Sequence, residues 1–222
     1  QEVLAHLFGM SQGQAHFLIY QLSRILRETL KRMDHLPARI SEDLARKLAE
    51  EEPQDLAIDG TERTIERPKD PERQKKFYSG KKKDSTVKNI IISGLLDQQV
   101  KYLSPTHEGK KHDKKIVDEE QIKVPVGYDL YQDNGFQGFN PSGVNTHQPK
   151  KKPKGENLTT GDKIINHLIS KTRVGVEHVI AGIKRLHIVK AVFRNVQDNH
   201  EDDVMLLACG LHNLRMSHRL NY

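Results

Sequence analysis

The sequence is poor in cysteine and aromatic residues: it has one cysteine and no tryptophan, and aromatic residues make up 5% of its 222 positions. One cysteine excludes an internal disulfide framework and a cysteine-based zinc site. That residue, Cys209, lies in an apolar helical pattern and is predicted to belong to the core. No apolar run approaches the roughly 18–20 residues that a membrane-spanning helix needs. We therefore expect a cytoplasmic protein without a membrane partner.

Charged residues are abundant instead. Lysine and arginine number 36 against 30 aspartate and glutamate residues, which gives a formal net charge of +6 and a pI of about 9.2. A basic balance favours polyanionic partners but specifies no fold. The length suits one core of ordinary size with a small appended module. Because the chain begins at Gln1 in mid-pattern and without methionine, we expect part of the natural N-terminus to be missing.

Two helices are predicted at the start of the chain. Residues 1–8 carry a short apolar stripe that ends at Gly9. Ser11 and Gln14 form a capping-box signature for a second helix, which should extend to about Met33. A helix, a short glycine-containing turn and another helix are typical of a helix-turn-helix, and equally of a plain helical hairpin.

The second helix has features relevant to both the helix-turn-helix and the helical-hairpin interpretation. In a helix-turn-helix its exposed start reads base edges in the major groove, and the contact residues here would be Gln12, Gln14 and His16. We expect residues 1–36 to form a partial DNA-binding domain of this kind and residues 37–53 to form a helical linker. The apolar face of the second helix is broad and predicts extensive burial. It comprises Leu18, Ile19, Leu22, Ile25, Leu26 and Leu30.

Two later segments read as strands that end in aspartate. Residues 54–61 alternate apolar and polar side chains before a turn at Gly60, with Asp59 at the solvent-facing end. Residues 126–132 form the second predicted strand, and Asp133 follows it directly. An aspartate at a strand end is more often a turn former than a ligand, so each residue alone leaves both interpretations open.

Further strands and a short helix are predicted between these two segments. Residues 86–94 and 99–104 indicate two strands joined by a short hairpin-like connection. His112 and Asp113 open a short helix, in which Asp113 is expected to be the N-cap without a chemical role. Strands come first along the chain and long helices afterwards, which predicts a mixed sheet flanked by helices.

Two segments are strongly basic. Residues 66–83 contain eight lysine and arginine residues, interrupted by prolines, a glycine and the aromatic pair Phe77 and Tyr78. Such a run is usually a solvated loop, but the aromatic and turn residues favour a loop shaped to lie on a phosphate backbone. Residues 141–155 form a second basic loop without a core-forming pattern.

A long helix is predicted from Gly161 to about Leu186. Glu177 faces outward on it, with the cations Arg173 and Lys184 in neighbouring rows. Glu177 is therefore either part of an ordinary surface ion pair or an acidic ligand held over a site that handles phosphate. The buried stripe of this helix comprises Ile169, Thr172, Val176, Val179, Ile183 and Leu186.

The C-terminal region is predicted to contain a short extended piece and a final helix. The extended piece covers residues 189–193, and the helix covers about 199–218. The predicted buried stripe of the final helix comprises Val204, Leu207, Ala208, Leu211 and Leu214.

Asp59, Asp133 and Glu177 permit a common chemistry. Carboxylates at the ends of neighbouring strands would converge at one edge of a sheet, and a helix packed across that edge would bring the third. Oxygen ligands of this kind suit Mg²⁺ or Mn²⁺. Two such ions activate a water or sugar hydroxyl and stabilise the leaving oxygen in an in-line attack on phosphorus.

Five segments resemble, in this order, the motifs of insertion-sequence transposases in the DDE superfamily endonuclease branch, which is related to Harbinger-type transposases. They are IDGT (58–61), FYSGKKK (77–83), HEGKKHDK (107–114), QDNGFQG (132–138) and RVGVEH (173–178). The run KKPKG (151–155) and residues 4–30, which are similar to that family's helix-turn-helix, extend the resemblance over nearly the whole chain.

The resemblance implies an α/β, ribonuclease H-like catalytic domain over residues 54–222. Asp59, Asp133 and Glu177 would be its catalytic and metal-binding triad for two Mg²⁺ or Mn²⁺ ions. The implied activity is that of a nucleoid-associated DNA transposase, which cleaves transposon ends and joins the freed 3′-hydroxyl to target DNA as a homo-oligomer. The residues implied to contact this DNA are Tyr78, Lys81, Lys82, Lys83, Lys151, Lys152, Lys154, Arg173 and Lys184.

Two alternatives remain at this point. A DNA-binding protein descended from such an enzyme would keep the basic surface without catalysis, and a nicking assay of Asp133→Asn separates the two. A histidine-based metalloenzyme would use His107 with His112, or His178 with His187. Neither spacing matches a one-turn helical ligand pair.

Overall fold

A computed structural model of the chain describes residues 1–195 and 200–219. Within these ranges the helices are α1 Glu2–Leu7, α2 Gln12–Arg32, α3 Ser41–Ala49, α4 Pro71–Phe77, α5 Asp113–Glu119, α6 Thr160–Ile183, α7 His187–Lys190 and α8 His200–Arg219. The strands are β1 Leu56–Thr64, β2 Tyr78–Ser79, β3 Asp84–Gly94, β4 Val100–Leu103, β5 His107–Glu108, β6 Asp129–Tyr131 and β7 Asn145–His147. None of these helices has the length and apolar character needed to cross a membrane.

β1 and β3 form the long antiparallel pair of a seven-stranded mixed sheet. β3 also pairs with β2, β5 and β4, and its antiparallel pairing with β4 confirms the predicted hairpin-like unit. On its other side β1 pairs with β6, and β6 with β7, both in parallel. The sheet is therefore antiparallel on one side of β1 and parallel on the other.

Helices cover both faces of this sheet. Successive side chains of a strand point to opposite faces, so neighbouring residues of β3 belong to different core clusters. In β3, Ile90 and Ile92 pack into one core cluster with residues of α3 and α5. Ile91, between them, packs into a second cluster with residues of α6, α7 and α8. The predicted mixed sheet flanked by helices is confirmed, and β3 is buried on both faces as its apolar run requires.

α2 begins where its capping-box signature predicts, and α6 begins at Thr160, one residue before the predicted Gly161. The Ser11 hydroxyl accepts a hydrogen bond from Gln14 N at 3.2 Å, and the Gln14 side chain accepts one from Ser11 N at 2.9 Å. Thr159 and Asp162 make the same reciprocal pair at the start of α6. Each box satisfies two backbone N–H groups that the first helical turn leaves without partners.

The predicted burial of the α2 face is wrong. Leu22 and Ile25 are 60% and 61% exposed, and Leu18 is 40% exposed. Leu30, near the end of α2, is buried and lies close to Gly210 of α8. Helical periodicity identifies an apolar face, but it does not say what covers that face.

The segment 66–83 is not a continuous loop as predicted, because it contains α4. Asp70 is the N-cap of α4 and accepts a hydrogen bond from Arg73 N at 2.8 Å, and Pro71 occupies the first turn. No residue of α4 is buried. A helix without a buried face leaves no apolar stripe in the sequence, which explains the missed prediction.

Two other predicted boundaries differ from the structure. β1 does not end at Gly60 but continues to Thr64. The predicted strand 126–132 is ordered as a strand only over β6, and the basic loop 141–155 contains β7.

The predicted extended piece at 189–193 begins with the last two residues of α7. α7 ends at Lys190, and only Phe193 makes a strand-like bridge, to Ile65. The final helix is present, although residue 199 lies outside the described residues. Its predicted stripe is rotated, because Asn213 exchanges hydrogen bonds of 2.7 and 2.9 Å with the backbone of Val100 in β4.

The buried residues of α8 include the predicted Val204 and Ala208, but the predicted Leu207, Leu211 and Leu214 are only half-buried. Cys209 is buried, as expected. In α6, the predicted stripe is confirmed at its centre by four buried residues: Ile169, Val176, Val179 and Ile183.

Candidate catalytic cleft

The parallel pairing of β1 with β6 brings two of the predicted acids to equivalent positions. The last paired positions in this ladder are Ala57 and Tyr131. Asp59 and Asp133 each lie two residues beyond them. Since adjacent strands are about 4.8 Å apart, the two aspartates lie on neighbouring segments at the point where the pairing ends.

Asp59 lies inside β1 and not at its end, because β1 continues on its β3 side. Asp59 Oδ1 accepts a hydrogen bond from Gly60 N at 2.8 Å, and Asp59 Oδ2 lies 3.6 Å from Nη2 of Arg173 on α6. Burial raises the pKa of Asp59 to about 6, although Arg173 opposes this shift; Asp133 and Asp113 add to it. The ionised carboxylate is therefore undercompensated by its surroundings.

Asp133 follows β6 and is the N-cap of a single 3₁₀ turn, Asn134–Phe136. Asp133 Oδ1 accepts a hydrogen bond from Gly135 N at 2.7 Å, and the Asp133 carbonyl accepts one from Gln148 Nε2 at 2.6 Å. Phe136 anchors the turn in the core. The turn-forming interpretation of Asp133 is thus correct, and it leaves the second carboxylate oxygen available.

Glu177 lies on the exposed side of α6 and lines a cleft of about 300 Å³ together with Asp59. Cations surround the two acids. The basic residues that line the cleft are Lys81, Lys82 and Lys184.

The surface ion-pair interpretation of Glu177 is not supported. Arg173 pairs with Asp59, and Lys184 Nζ donates a hydrogen bond to the backbone carbonyl of Glu62 at 3.1 Å. No ion pair of Glu177 occurs among the described residues. Arg173 and Lys184 therefore act on β1 from α6, and Glu177 faces the cleft between them.

Among residues 1–195 and 200–219, no group of three or more His, Cys, Asp or Glu side chains could hold a metal ion. The chemistry of the donors nevertheless fits Mg²⁺ or Mn²⁺, since all three are carboxylates and Asp59 is buried with a raised pKa. The convergence of Asp59, Asp133 and Glu177 remains a prediction.

A fourth acid, Asp113, lies beside these residues and was missed as a site residue by sequence reasoning. It is the first residue of α5, and His112 is the N-cap, so its predicted capping role is wrong. Lys88 Nζ lies 3.0 Å from Asp113 Oδ1. The carboxylate lies against Gly60 and Gly135, which are neighbours of the two predicted catalytic aspartates in sequence. Asp113 lies in the HEGKKHDK motif (107–114), but only the sheet places it beside Gly60 and Gly135.

The four predicted DNA-contacting residues of the segment 78–83 line two clefts. Lys81 and Lys82 line the acidic cleft described above. Tyr78 and Lys83 line a neighbouring cleft of about 610 Å³. The additional cations of this second cleft, not singled out from the sequence, are Arg67, Lys75 and Lys110.

The second basic loop lies next to the Asp133 turn. Lys151 Nζ donates a hydrogen bond to Gln137 Oε1 at 2.6 Å. Lys152 and Lys154 are exposed. The basic loop and the proposed catalytic aspartate thus share one region of the surface.

The predicted base-reading residues of α2 are exposed, but two of them have local partners. The Gln14 side chain is engaged in the capping box, and the His16 ring contacts Gln1 at 3.1 Å and the Tyr20 ring at 4.9 Å between centroids. Gln12 is exposed in the first turn.

The histidine alternative gains no support from the geometry. His107 Nε2 lies 2.9 Å from Glu120 Oε1, so this ring faces an acidic partner within the fold. The part of the chain that the structure describes contains no metal-competent group with histidine.

Comparison with known protein families identifies the class to which this protein belongs. A family model described as DDE superfamily endonuclease matches residues 58–213, which include Asp59, Asp133 and Glu177. This match covers most of the chain, and the chain belongs to this family. The resemblance found in the motifs is thereby confirmed.

A particular relative is the probable transposase for insertion sequence element IS702 of Microchaete diplosiphon. It is 29% identical over 188 residues, which cover 85% of this chain and 65% of the relative. The chain thus spans a little under two thirds of that protein. No solved structure matches the chain.

Proposed function

We propose that this protein is a DNA transposase, which cleaves phosphodiester bonds at transposon ends and joins the freed 3′-hydroxyl to target DNA. Membership of the DDE superfamily endonucleases supports cleavage, and the probable IS702 transposase supports transposition. The observation that carries the proposal is the equivalent position of Asp59 and Asp133 where β1 and β6 stop pairing. Glu177 faces the same cleft as Asp59.

In this proposal Asp59, Asp133 and Glu177 supply the oxygen ligands for Mg²⁺ or Mn²⁺. When bound, such ions activate the attacking hydroxyl and stabilise the leaving oxygen. Asp59 is held by the sheet and Glu177 by α6, whose buried stripe fixes that helix on the second core cluster. Donors on regular elements with packed supports keep their geometry better than donors on mobile loops.

The cations around the cleft would hold the DNA backbone beside these acids. Lys81 and Lys82 are exposed on the turn that borders the cleft, and their charge attracts phosphate without reading sequence. Burial lowers the pKa of Lys184, and the nearby charges of Lys82 and Arg63 lower it further. A phosphate bound there would offset both effects.

A nicking assay on supercoiled plasmid in Mn²⁺ tests the proposal. Asp133→Asn keeps the shape of the side chain but loses the charge, and we expect its nicking rate to fall by at least about 100-fold, since a ligand should matter more than the outer partners that cost roughly 10–100-fold. Asp118→Asn is the matched control, because Asp118 is an exposed aspartate that pairs with Lys114. Equal rates for Asp133→Asn and the control would refute the catalytic assignment.

A catalytically silent DNA-binding protein is the second candidate. The lack of a converged three-acid group among the described residues favours it. Such a protein would bind plasmid DNA with strong salt dependence. It would nick the plasmid no faster in Mn²⁺ than in EDTA, so the same assay separates the two candidates.

A further inference from the structure

We propose that Asp113 is a positioning residue of the catalytic cleft. Its carboxylate, held by Lys88, sets the relative position of the β1 segment that carries Asp59 and the turn that carries Asp133. The inference rests on the proposed function and adds a residue outside the three acids of that proposal.

The Asp113 carboxylate lies close to two glycines. A Cβ on Gly60 would lie 2.8 Å from Asp113 Oδ1, and a Cβ on Gly135 would lie 2.8 Å from Asp133 Oδ1 and 3.0 Å from Asp113 Oδ2. Real Cβ atoms almost never approach another heavy atom below 3.0 Å. Neither glycine has a positive φ, so close approach and not backbone conformation explains glycine at both positions. The Asp113 carboxylate thus lies between two segments: Oδ1 is close to Gly60, and Oδ2 is close to Gly135.

The Asp113 carboxylate is also paired with a buried cation. Lys88 Nζ lies 3.0 Å from Asp113 Oδ1 and 3.6 Å from Oε1 of Glu62, and it donates a hydrogen bond to the Lys111 carbonyl at 2.9 Å. The Lys88 and Glu62 side chains are only 10% and 9% exposed. Buried charges are costly unless paired, so Asp113 helps to fix one arrangement of β3, β1 and the loop before α5.

The Asp113 carboxylate also contacts the two segments that carry Asp59 and Asp133. The Asp113 Oδ1 atom is buried and, among the described residues, accepts no hydrogen bond in addition to its ion pair with Lys88. Gly60 follows Asp59 directly, and Gly135 N is the hydrogen-bond donor to Asp133. Losing the carboxylate would therefore relax both segments at once. Outer partners of this kind typically change metal affinity or activity by roughly 10–100-fold.

Mn²⁺ affinity, measured on the full chain by electron paramagnetic resonance, tests the inference independently of turnover. We expect Asp113→Asn to bind Mn²⁺ at least about tenfold more weakly than the parent, within the range for outer partners. Thermal stability without metal should fall, because Lys88 would keep only Glu62, at 3.6 Å, as an acidic partner. Asp118→Asn, on the same helix but paired with Lys114 at the surface, should bind Mn²⁺ like the parent.

Gly60→Ala provides a second variant that keeps the Asp113 carboxylate but displaces it, and it should also weaken Mn²⁺ binding. If Asp113→Asn does not fold, Gly60→Ala decides the question, and unchanged affinity then overturns the positioning role.

Asp59→Asn separates this inference from the proposed function. If Asp59→Asn weakens Mn²⁺ binding but Asp113→Asn binds like the parent, the positioning role of Asp113 is wrong and the proposed function stands. If the parent shows no Mn²⁺ binding that depends on Asp59, both proposals fail.

Discussion

Replacement of Asp59 by asparagine should make the metal-free protein more stable near neutral pH. The folded state keeps the pKa of Asp59 at about 6, whereas the ordinary value is 3.8. Burial is the main cause, and Arg173 at 3.6 Å compensates only in part. Between these two pH values the unfolded chain has released the proton and the folded chain still holds it. The free energy of unfolding therefore falls as pH rises through this window, and the full cost is present above it.

The size of this effect follows from the two pKa values. One pKa unit corresponds to about 1.4 kcal/mol, so the ionised Asp59 costs the folded protein about 3 kcal/mol. A neutral asparagine side chain would avoid this cost but would leave the guanidinium of Arg173 without its partner, which offsets part of the gain. We expect a net increase in unfolding free energy of roughly 1–3 kcal/mol at pH 7.5, or a Tm increase of several degrees.

Urea denaturation in EDTA at pH 7.5 and at pH 4.0 measures this difference. The stabilisation by Asp59→Asn should be large at pH 7.5 and should shrink strongly at pH 4.0, where folded Asp59 is protonated. Asp43→Asn is a suitable control, because Asp43 pairs with Arg46 on the exposed face of α3 and should show no comparable gain at either pH. An Asp59→Asn variant that is equally stable or less stable than the parent at pH 7.5 would refute the reasoning.

Three further changes probe the core and the DNA surface. Arg63→Met should lower the unfolding free energy by about 3 kcal/mol in urea denaturation, since the buried guanidinium donates hydrogen bonds to the Glu201 carbonyl at 2.7 Å and to Asn89 Oδ1 at 2.8 Å. Lys81→Ala should reduce the slope of log affinity against log salt by about 0.9 in fluorescence anisotropy with duplex DNA; an unchanged slope would exclude a phosphate contact. Cys209 should resist a thiol reagent until the protein is unfolded, because burial raises its pKa to about 12.

Features that depend on neighbouring residues were predictable from the sequence. The start of α2 follows from Ser11 and Gln14, three positions apart, whose side chains form hydrogen bonds within one turn. The end of α1 follows from Gly9, which has a φ of +61°.

Features that depend on distant segments were not predictable in the same way. Gly60 was interpreted as a turn residue, but it lies inside β1 and is small because Asp113 packs against it. Leu22 and Ile25 are predicted to be buried, but they are 60% and 61% exposed. In both cases the sequence shows the residue type, but the environment of the residue depends on another part of the fold.

The candidate site also combines features that the sequence predicts with features that depend on distant segments. The sequence identified Asp59 and Asp133 as aspartates near strand ends, but the parallel β1–β6 register that relates them comes from the sheet. Glu177 depended on the family resemblance, because an outward-facing glutamate beside cations is usually an ion-paired surface residue. Asp113 lies in the HEGKKHDK motif, but its contact with Lys88 could not be predicted, since that contact requires β3 and α5 to pack together.

Arg173 connects the two roles that the proposed function gives to this cleft, which are metal binding and DNA binding. In the absence of metal, a buried carboxylate needs a counter-charge, and Arg173 supplies it to Asp59 across 3.6 Å, a distance too long for a strong hydrogen bond. A divalent cation on Asp59 would replace that counter-charge and free the guanidinium, whose planar fork suits phosphate. In the proposed function, Arg173 would therefore hold Asp59 before metal binds and a DNA phosphate afterwards.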